Sequence, residues 1–199
     1  MKIIKIITVI FSTMLILSCS QSAQSDLTPL SSLCNSNQES LGLTPRTFLD
    51  GILTIHIPNN FYEMSQERIA MKYPDQQRPT VVMTNNDNGT VNVAINHTDH
   101  KVSPAEIEDF HRYMEGMFKK KYSSAVWYRS EVLQIGKRKC FVLDLQTPAL
   151  DTKIRNIMMC TSVNGRILLV TFNTTLELES EWLDRGYCII SSIMINDQP

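Results

Sequence analysis

The sequence predicts an α+β domain, an antiparallel β-sheet flanked by helices on both faces. Three observations lead there. Apolar runs are punctuated by Asp50-Gly51, Asn88-Gly89 and Asn164-Gly165, pairs that suit tight hairpins. Two stretches, beginning at Ser103 and Leu176, place apolar residues at helical spacing instead. The strands between those helices are apolar on both sides, and such a sheet needs cover on both.

The chain of 199 residues opens with Lys2 and Lys5 before a twelve-residue run, Ile6–Leu17, in which nine residues are apolar. A membrane-spanning helix needs about 20 apolar residues, so the run fits the core of an export signal instead. It ends Ile16-Leu17-Ser18-Cys19, which resembles the bacterial lipobox. Residues 1–18 are therefore expected to be a lipoprotein signal peptide, and Cys19 to carry acyl chains such as palmitate. Two or three chains suffice for stable membrane anchoring. The alternative is an ordinary cleaved signal with an incidental Cys19. Loss of Lys2 and Lys5 from the 19 basic residues leaves 17 against 20 acidic ones, a charge of −3 with His neutral. Such a chain has no electrostatic reason to hold nucleic acid.

Residues 20–44 contain twelve Ser, Asn or Gln, two charges and no aromatic residue. That composition buries too little apolar area to offset its ordering entropy, which makes 19–45 a lipidated flexible tether. Docking of residues 27–30 on the domain is the alternative. The folded domain is expected over 46–199.

Within it, Asp50-Gly51 turns between 46–49 and 52–57, and Pro58 stops the second strand. Residues 61–73 read as a short helix or an irregular crossing. Strands at 80–84 and 90–97 flank Asn88-Gly89. Ser103-Pro104-Ala105-Glu106 is a helix start with a capping residue, a first-turn proline and a glutamate three residues on. Ile107, Phe110, Met114, Met117 and Phe118 form its apolar stripe to about Lys121, and Gly116 suggests a close backbone approach. Four strands follow, at 125–135, 139–146, 153–162 and 166–173. A helix from Leu176 to about Met194, with Trp182, Tyr187, Ile190 and Ile193 inward, completes the chain.

Turn geometry sets the expected register. A turn centred between Asn164 and Gly165 places Met159 opposite Val170 and Ile157 opposite Phe172. A loop centred on Leu150 places Phe141 opposite Met159, Leu143 opposite Ile157 and Cys140 opposite Cys160. Cys140 and Cys160 are thus a candidate disulfide, with two small buried thiols as the alternative. Cys34 and Cys188 are the weaker candidate pair.

Chemical motifs are sparse. The seven glycines are never closer than nine residues apart, which excludes the usual phosphate loop, dinucleotide fingerprint and nucleophile elbow. No cofactor is implied. His97, Asp99 and His100 are the nearest approach to a metal-ligand cluster, although His97 and His100 would project to opposite faces of an extended segment. Lys119-Lys120-Lys121 reads as a solvated helix end complementing the macrodipole, and Trp127-Tyr128 as core.

Phe48-Leu49-Asp50-Gly51-Ile52-Leu53-Thr54-Ile55-His56-Ile57-Pro58 resembles the opening of DcrB-type periplasmic lipoproteins. The Asn88-Gly89 hairpin, the helix from Ser103, the four-strand meander and the final helix follow in that family's order, over about residues 46–195. The wider grouping is the PsbP-like superfamily, which includes photosystem extrinsic proteins and Ran-binding Mog proteins. The resemblance implies an antiparallel sheet flanked by helices, used mostly as a non-catalytic binding or assembly module. It carries over no functional residue.

The resulting expectation is a non-catalytic envelope lipoprotein, periplasm-facing in a Gram-negative cell. It would hold the membrane through its acyl chains and bind an envelope protein partner. The alternatives are a periplasmic small-ligand carrier and a metal- or cysteine-dependent enzyme.

Overall fold

The computed structural model describes residues 27–73 and 78–196. The expected signal, residues 1–18, and the acylation site Cys19 lie outside these residues. The described strands are β1 (Leu43–Phe48), β2 (Leu53–Pro58), β3 (Tyr62–Glu63), β4 (Val81–Thr84), β5 (Val91–Lys101), β6 (Val126–Ile135), β7 (Arg138–Pro148), β8 (Lys153–Val163), β9 (Arg166–Thr175) and β10 (Met194–Ile195). The helices are α1 (Gln66–Lys72), α2 (Ile107–Lys121) and α3 (Glu179–Ser191). Seven strands form one sheet in the order β3-β4-β5-β9-β8-β7-β6, and β1-β2-β10 form a second. All these pairings are antiparallel.

The β8–β9 hairpin has the expected register, Met159 opposite Val170 and Ile157 opposite Phe172. Asn164 and Gly165 both have positive φ, 53° and 70°, as a two-residue hairpin turn requires. The β7–β8 register differs from expectation by one residue: Phe141 faces Cys160, Val142 faces Met159, and Cys140 faces Thr161. The loop between these strands is four residues, closed by the Ala149 N–H donating to the Thr152 carbonyl at 2.9 Å. Its centre therefore falls after Leu150 and not on it. A one-residue slip moves side chains to the opposite face. Cys140 joins the core under α3 and Cys160 the core under α2, so the expected Cys140–Cys160 bridge does not form and both are buried free thiols.

One face of the large sheet carries α1 and α2, the other α3 and the small sheet. The capping box at Ser103 and Glu106 forms, followed by a 3-10 turn and then α2. Ile107 is fully buried, and Phe110, Met114 and Phe118 pack on Phe141, Leu143 and Met158. Met117, expected in that stripe, is exposed. Gly116 has nothing within 4 Å of where a Cβ would sit, so no backbone approaches it. The close approach belongs to Gly186 of α3, where a Cβ would lie 2.4 Å from the Phe172 ring.

The tether reading is corrected from about Thr28 onward. Gln134 donates its N–H to the Thr28 carbonyl at 3.0 Å, and Leu30 and Leu33 are buried against the main core. A disulfide joins Cys34 to Cys188 of α3, closing a sequence separation of 154 residues. The polar composition of 20–44 concealed a short leucine-bearing turn, Leu30–Leu33, whose burial outweighs its serines.

Candidate functional site

On the α1–α2 face the two helices cover different parts of the sheet. Ile69 of α1 packs on Val82 and Ala94, while α2 packs on Phe141, Leu143 and Met158. Between them lies a cleft of about 820 Å³, bounded by Tyr73 at the end of α1 and Tyr122 at the end of α2. Its floor is the sheet itself. One row of paired residues, Asn92, Asn173 and Asn156, crosses β5, β9 and β8 in register. Neighbouring strands lie about 4.8 Å apart, so the three amides span roughly 10 Å.

The hydrogen bonds fix the orientation of these amides. Asn156 Nδ2 donates to the carbonyls of Ile154 and Leu145, at 2.9 and 3.3 Å, and to Thr147 Oγ1 at 3.0 Å. Its Oδ1 accepts from Asn173 Nδ2 at 2.8 Å. Asn173 Oδ1 is then left with no partner among the described residues and is not sealed from solvent. At the far end Asn92 Nδ2 donates to the Gly89 carbonyl at 3.0 Å, and Asn92 Oδ1 accepts from the Tyr73 hydroxyl at 3.2 Å. Burial pushes the Tyr73 phenol up to about 12, so it stays a hydrogen-bond donor.

Three charged side chains line the cleft: Lys72, Asp151 and Glu177. The Lys72 ammonium donates to the Gly89 carbonyl, and burial lowers its pKa. Glu177 accepts from the Thr152 hydroxyl at 2.7 Å, and this bond leads those that lower its pKa and keep it ionised. The groups on the floor are amides and hydroxyls. They can hold a ligand by hydrogen bonding, and they do not supply a nucleophile or a titrating base at neutral pH.

The opposite face carries a second polar cluster, closed and charged. Asp144 on β7 and Arg155 on β8 are paired at 2.5 and 2.9 Å, with side chains 0% and 4% exposed. Arg155 also donates to Glu179 of α3 at 2.7 Å and stacks 3.3 Å from the Tyr128 ring. The Tyr187 hydroxyl donates to Asp144 Oδ2 at 2.5 Å. Burial raises the Tyr187 pKa and the Asp144 carboxylate raises it further. The Arg155 guanidinium, the Asp144 carboxylate and the Tyr187 phenol answer one another, so the cluster joins α3 to the sheet.

The residues singled out in the sequence are not brought together. His97 Nε2 lies 3.2 Å from the Val163 carbonyl, Asp99 pairs with Arg166 at 3.1 Å, and the His100 ring stacks 5.6 Å from Phe110. Among the described residues no three His, Cys, Asp or Glu side chains could share a metal ion. Burial holds the Cys140 thiol up at about 12 and raises Cys160 as well, which suppresses thiolate formation at both. Lys119 pairs with Glu115 at 2.7 Å and lies 5.5 Å from the Trp127 ring. Trp127 packs under α2, whereas Tyr128 is half exposed over Arg155.

The asparagine row was missed in the sequence although a signal existed. The Asn164-Gly165 turn that aligns Met159 with Val170 also aligns Asn156 with Asn173. Asp144 within Phe141–Leu145 is a charge inside an apolar strand, which by itself calls for a buried partner.

No protein-family model matches the chain, and neither does any curated protein. Solved structures do. The cyanobacterial PsbP (CyanoP) of Synechocystis sp. PCC 6803 superposes with a TM-score of 0.56 at 12% identity, covering 78% of this chain and 93% of that one. The fold is PsbP-like. LpqN of Mycobacterium tuberculosis, described as involved in cell envelope biogenesis, gives 0.51 at 10% identity, covering 78% of this chain and 91% of its own. At such identities the likeness is one of fold. Among the described residues no helix is long and apolar enough to cross a membrane.

Proposed function

We propose that this chain is a non-catalytic binding module of the cell envelope, exported and held at the membrane by acylation of Cys19. Its ligand seat is the cleft between α1 and α2. The observation that carries this reading is the cleft floor, where Asn92, Asn173 and Asn156 align three amides in an opening of about 820 Å³. The cleft's volume falls in the range of ligand sites, and its lining is more polar than most of them. The lipobox at Ser18-Cys19, the DcrB-type opening at Phe48–Pro58 and the envelope role given for LpqN support the setting.

A protein partner is the second reading. It is favoured by Tyr113 and Met117, exposed one turn apart on the outer side of α2. Photo-crosslinking in the intact envelope separates the two. A benzophenone amino acid replaces Asn88, at the cleft, or Tyr113, on α2. Capture from Asn88 supports the cleft reading, and capture from Tyr113 alone transfers the function to the helix surface. A folded, membrane-held chain that captures nothing from either position overturns both. Replacement of Cys19 by Ala is expected to move the chain from the membrane to the soluble fraction, and its retention in the membrane would refute the anchoring.

A further inference from the structure

We propose that the cleft binds a neutral saccharide chain, laid across the strands along the Asn92–Asn173–Asn156 row. This rests on the cleft reading above and names its ligand class. Four physical features select it.

The first is charge. One ammonium, Lys72, faces two carboxylates, Asp151 and Glu177, and the ammonium is already engaged by the Gly89 carbonyl. That balance offers a phosphate or other anion no cluster of cations to bind. The second is polarity. A floor of amides would be desolvated without compensation by a hydrocarbon chain, which disfavours a lipid tail. The third is the kind of backbone on offer. The floor is the face of interior strands whose main-chain groups are already paired, so a peptide cannot add as a strand here.

The fourth is positive. Vicinal hydroxyls donate as well as accept, and the cleft offers their donors fixed acceptors. Asn173 Oδ1 is an open acceptor whose direction is set by the bonds to Asn156. Asp151 adds a carboxylate at the rim, and Tyr73 and Tyr122 add rings at the two helix ends. The amide spacing across strands, about 4.8 Å, is close to the rise of one pyranose unit along an extended chain.

The test uses the full-length acylated chain in detergent micelles and saturation-transfer NMR. The probes are maltotetraose, cellotetraose and chitotetraose, with inorganic phosphate and a neutral octapeptide as controls. Saturable binding of at least one tetrasaccharide is expected. Asn173→Leu should weaken it about tenfold, the value of one well-made hydrogen bond in a desolvated site. Asp151→Ala, at an exposed loop position, should weaken it as well and keeps the test independent of floor packing. Binding that neither variant weakens would overturn the assignment, as would binding of phosphate or peptide with none of any tetrasaccharide. Capture from Asn88 without tetrasaccharide binding would refute the saccharide while leaving the cleft reading intact.

Discussion

Arg155 and Asn156 are consecutive residues on β8, and they lead opposite lives. Arg155 points toward α3 into a cluster where Asp144, Glu179 and Tyr187 answer its guanidinium. Asn156 points the other way, into an open cleft where the middle amide of the row, Asn173, keeps an acceptor with no partner among the described residues. Strand alternation makes this possible, since neighbours face opposite sides. The difference shows how to separate structural polarity from available polarity in one sheet. Buried charge is tolerated only when saturated, and a saturated cluster has nothing left to offer. Neutral amides can remain partly unsatisfied because water serves them until a ligand arrives.

The hardest way to break this contrast is to open the sealed side. Asp144→Ala leaves Arg155 buried with Glu179 as its remaining carboxylate, and the expected loss is about 3–5 kcal/mol in urea unfolding. A loss below about 1 kcal/mol would mean that water already reaches the cluster. Next in size, replacing Cys34 and Cys188 by Ser should cost about 2–4 kcal/mol and free the segment around Leu30 and Leu33 from α3. Wild-type protein unfolded in reductant should match the double variant if this bridge carries the effect.

On the open side Asn173→Leu should change stability by less than about 1 kcal/mol, because the lost bond faces water. A drop as large as that of Asp144→Ala would place the row in the structural class and remove the contrast. The smallest effect concerns pH. Burial lowers the His111 pKa below its usual 6.5, and its ring is 2.8 Å from the Ser130 hydroxyl. A lowered folded pKa means that the unfolded chain takes up the proton more readily. His111 therefore contributes stability that is complete above pH 6.5 and is lost as pH falls through its lower folded value. Thermal scans between neutral and mildly acidic pH should show that decline, and His111→Gln should flatten part of it.

The legible parts of the fold were those fixed by short-range geometry. Asn164-Gly165 dictated the β8–β9 register because a two-residue turn leaves no freedom, and Ser103 with Glu106 marked the start of the first long helix. The β7–β8 pairing was illegible for a physical reason. Both faces of β7 are apolar, so Phe141 and Val142 satisfy the core equally in either register. Only the four-residue loop distinguishes them. The third strand of the small sheet escaped notice because Met194–Ile195 pairs with Leu53–Thr54, about 140 residues earlier, and no local pattern encodes so distant a partner. The cleft was half legible. Two of its asparagines follow from turn arithmetic, but its openness depends on where α1 and α2 stop.

The Cys34–Cys188 bond also decides how mechanical load would travel. A pull on the N-terminal segment meets the Thr28–Gln134 bond and the buried Leu30 and Leu33, and at Cys34 it crosses the sulfur link directly into α3. The β1–β2 hairpin, which follows Cys34 in the chain, is bypassed as a force-bearing element. Traction from a membrane would thus be borne by the helix locked against Phe172, and the edge hairpin would be spared from peeling.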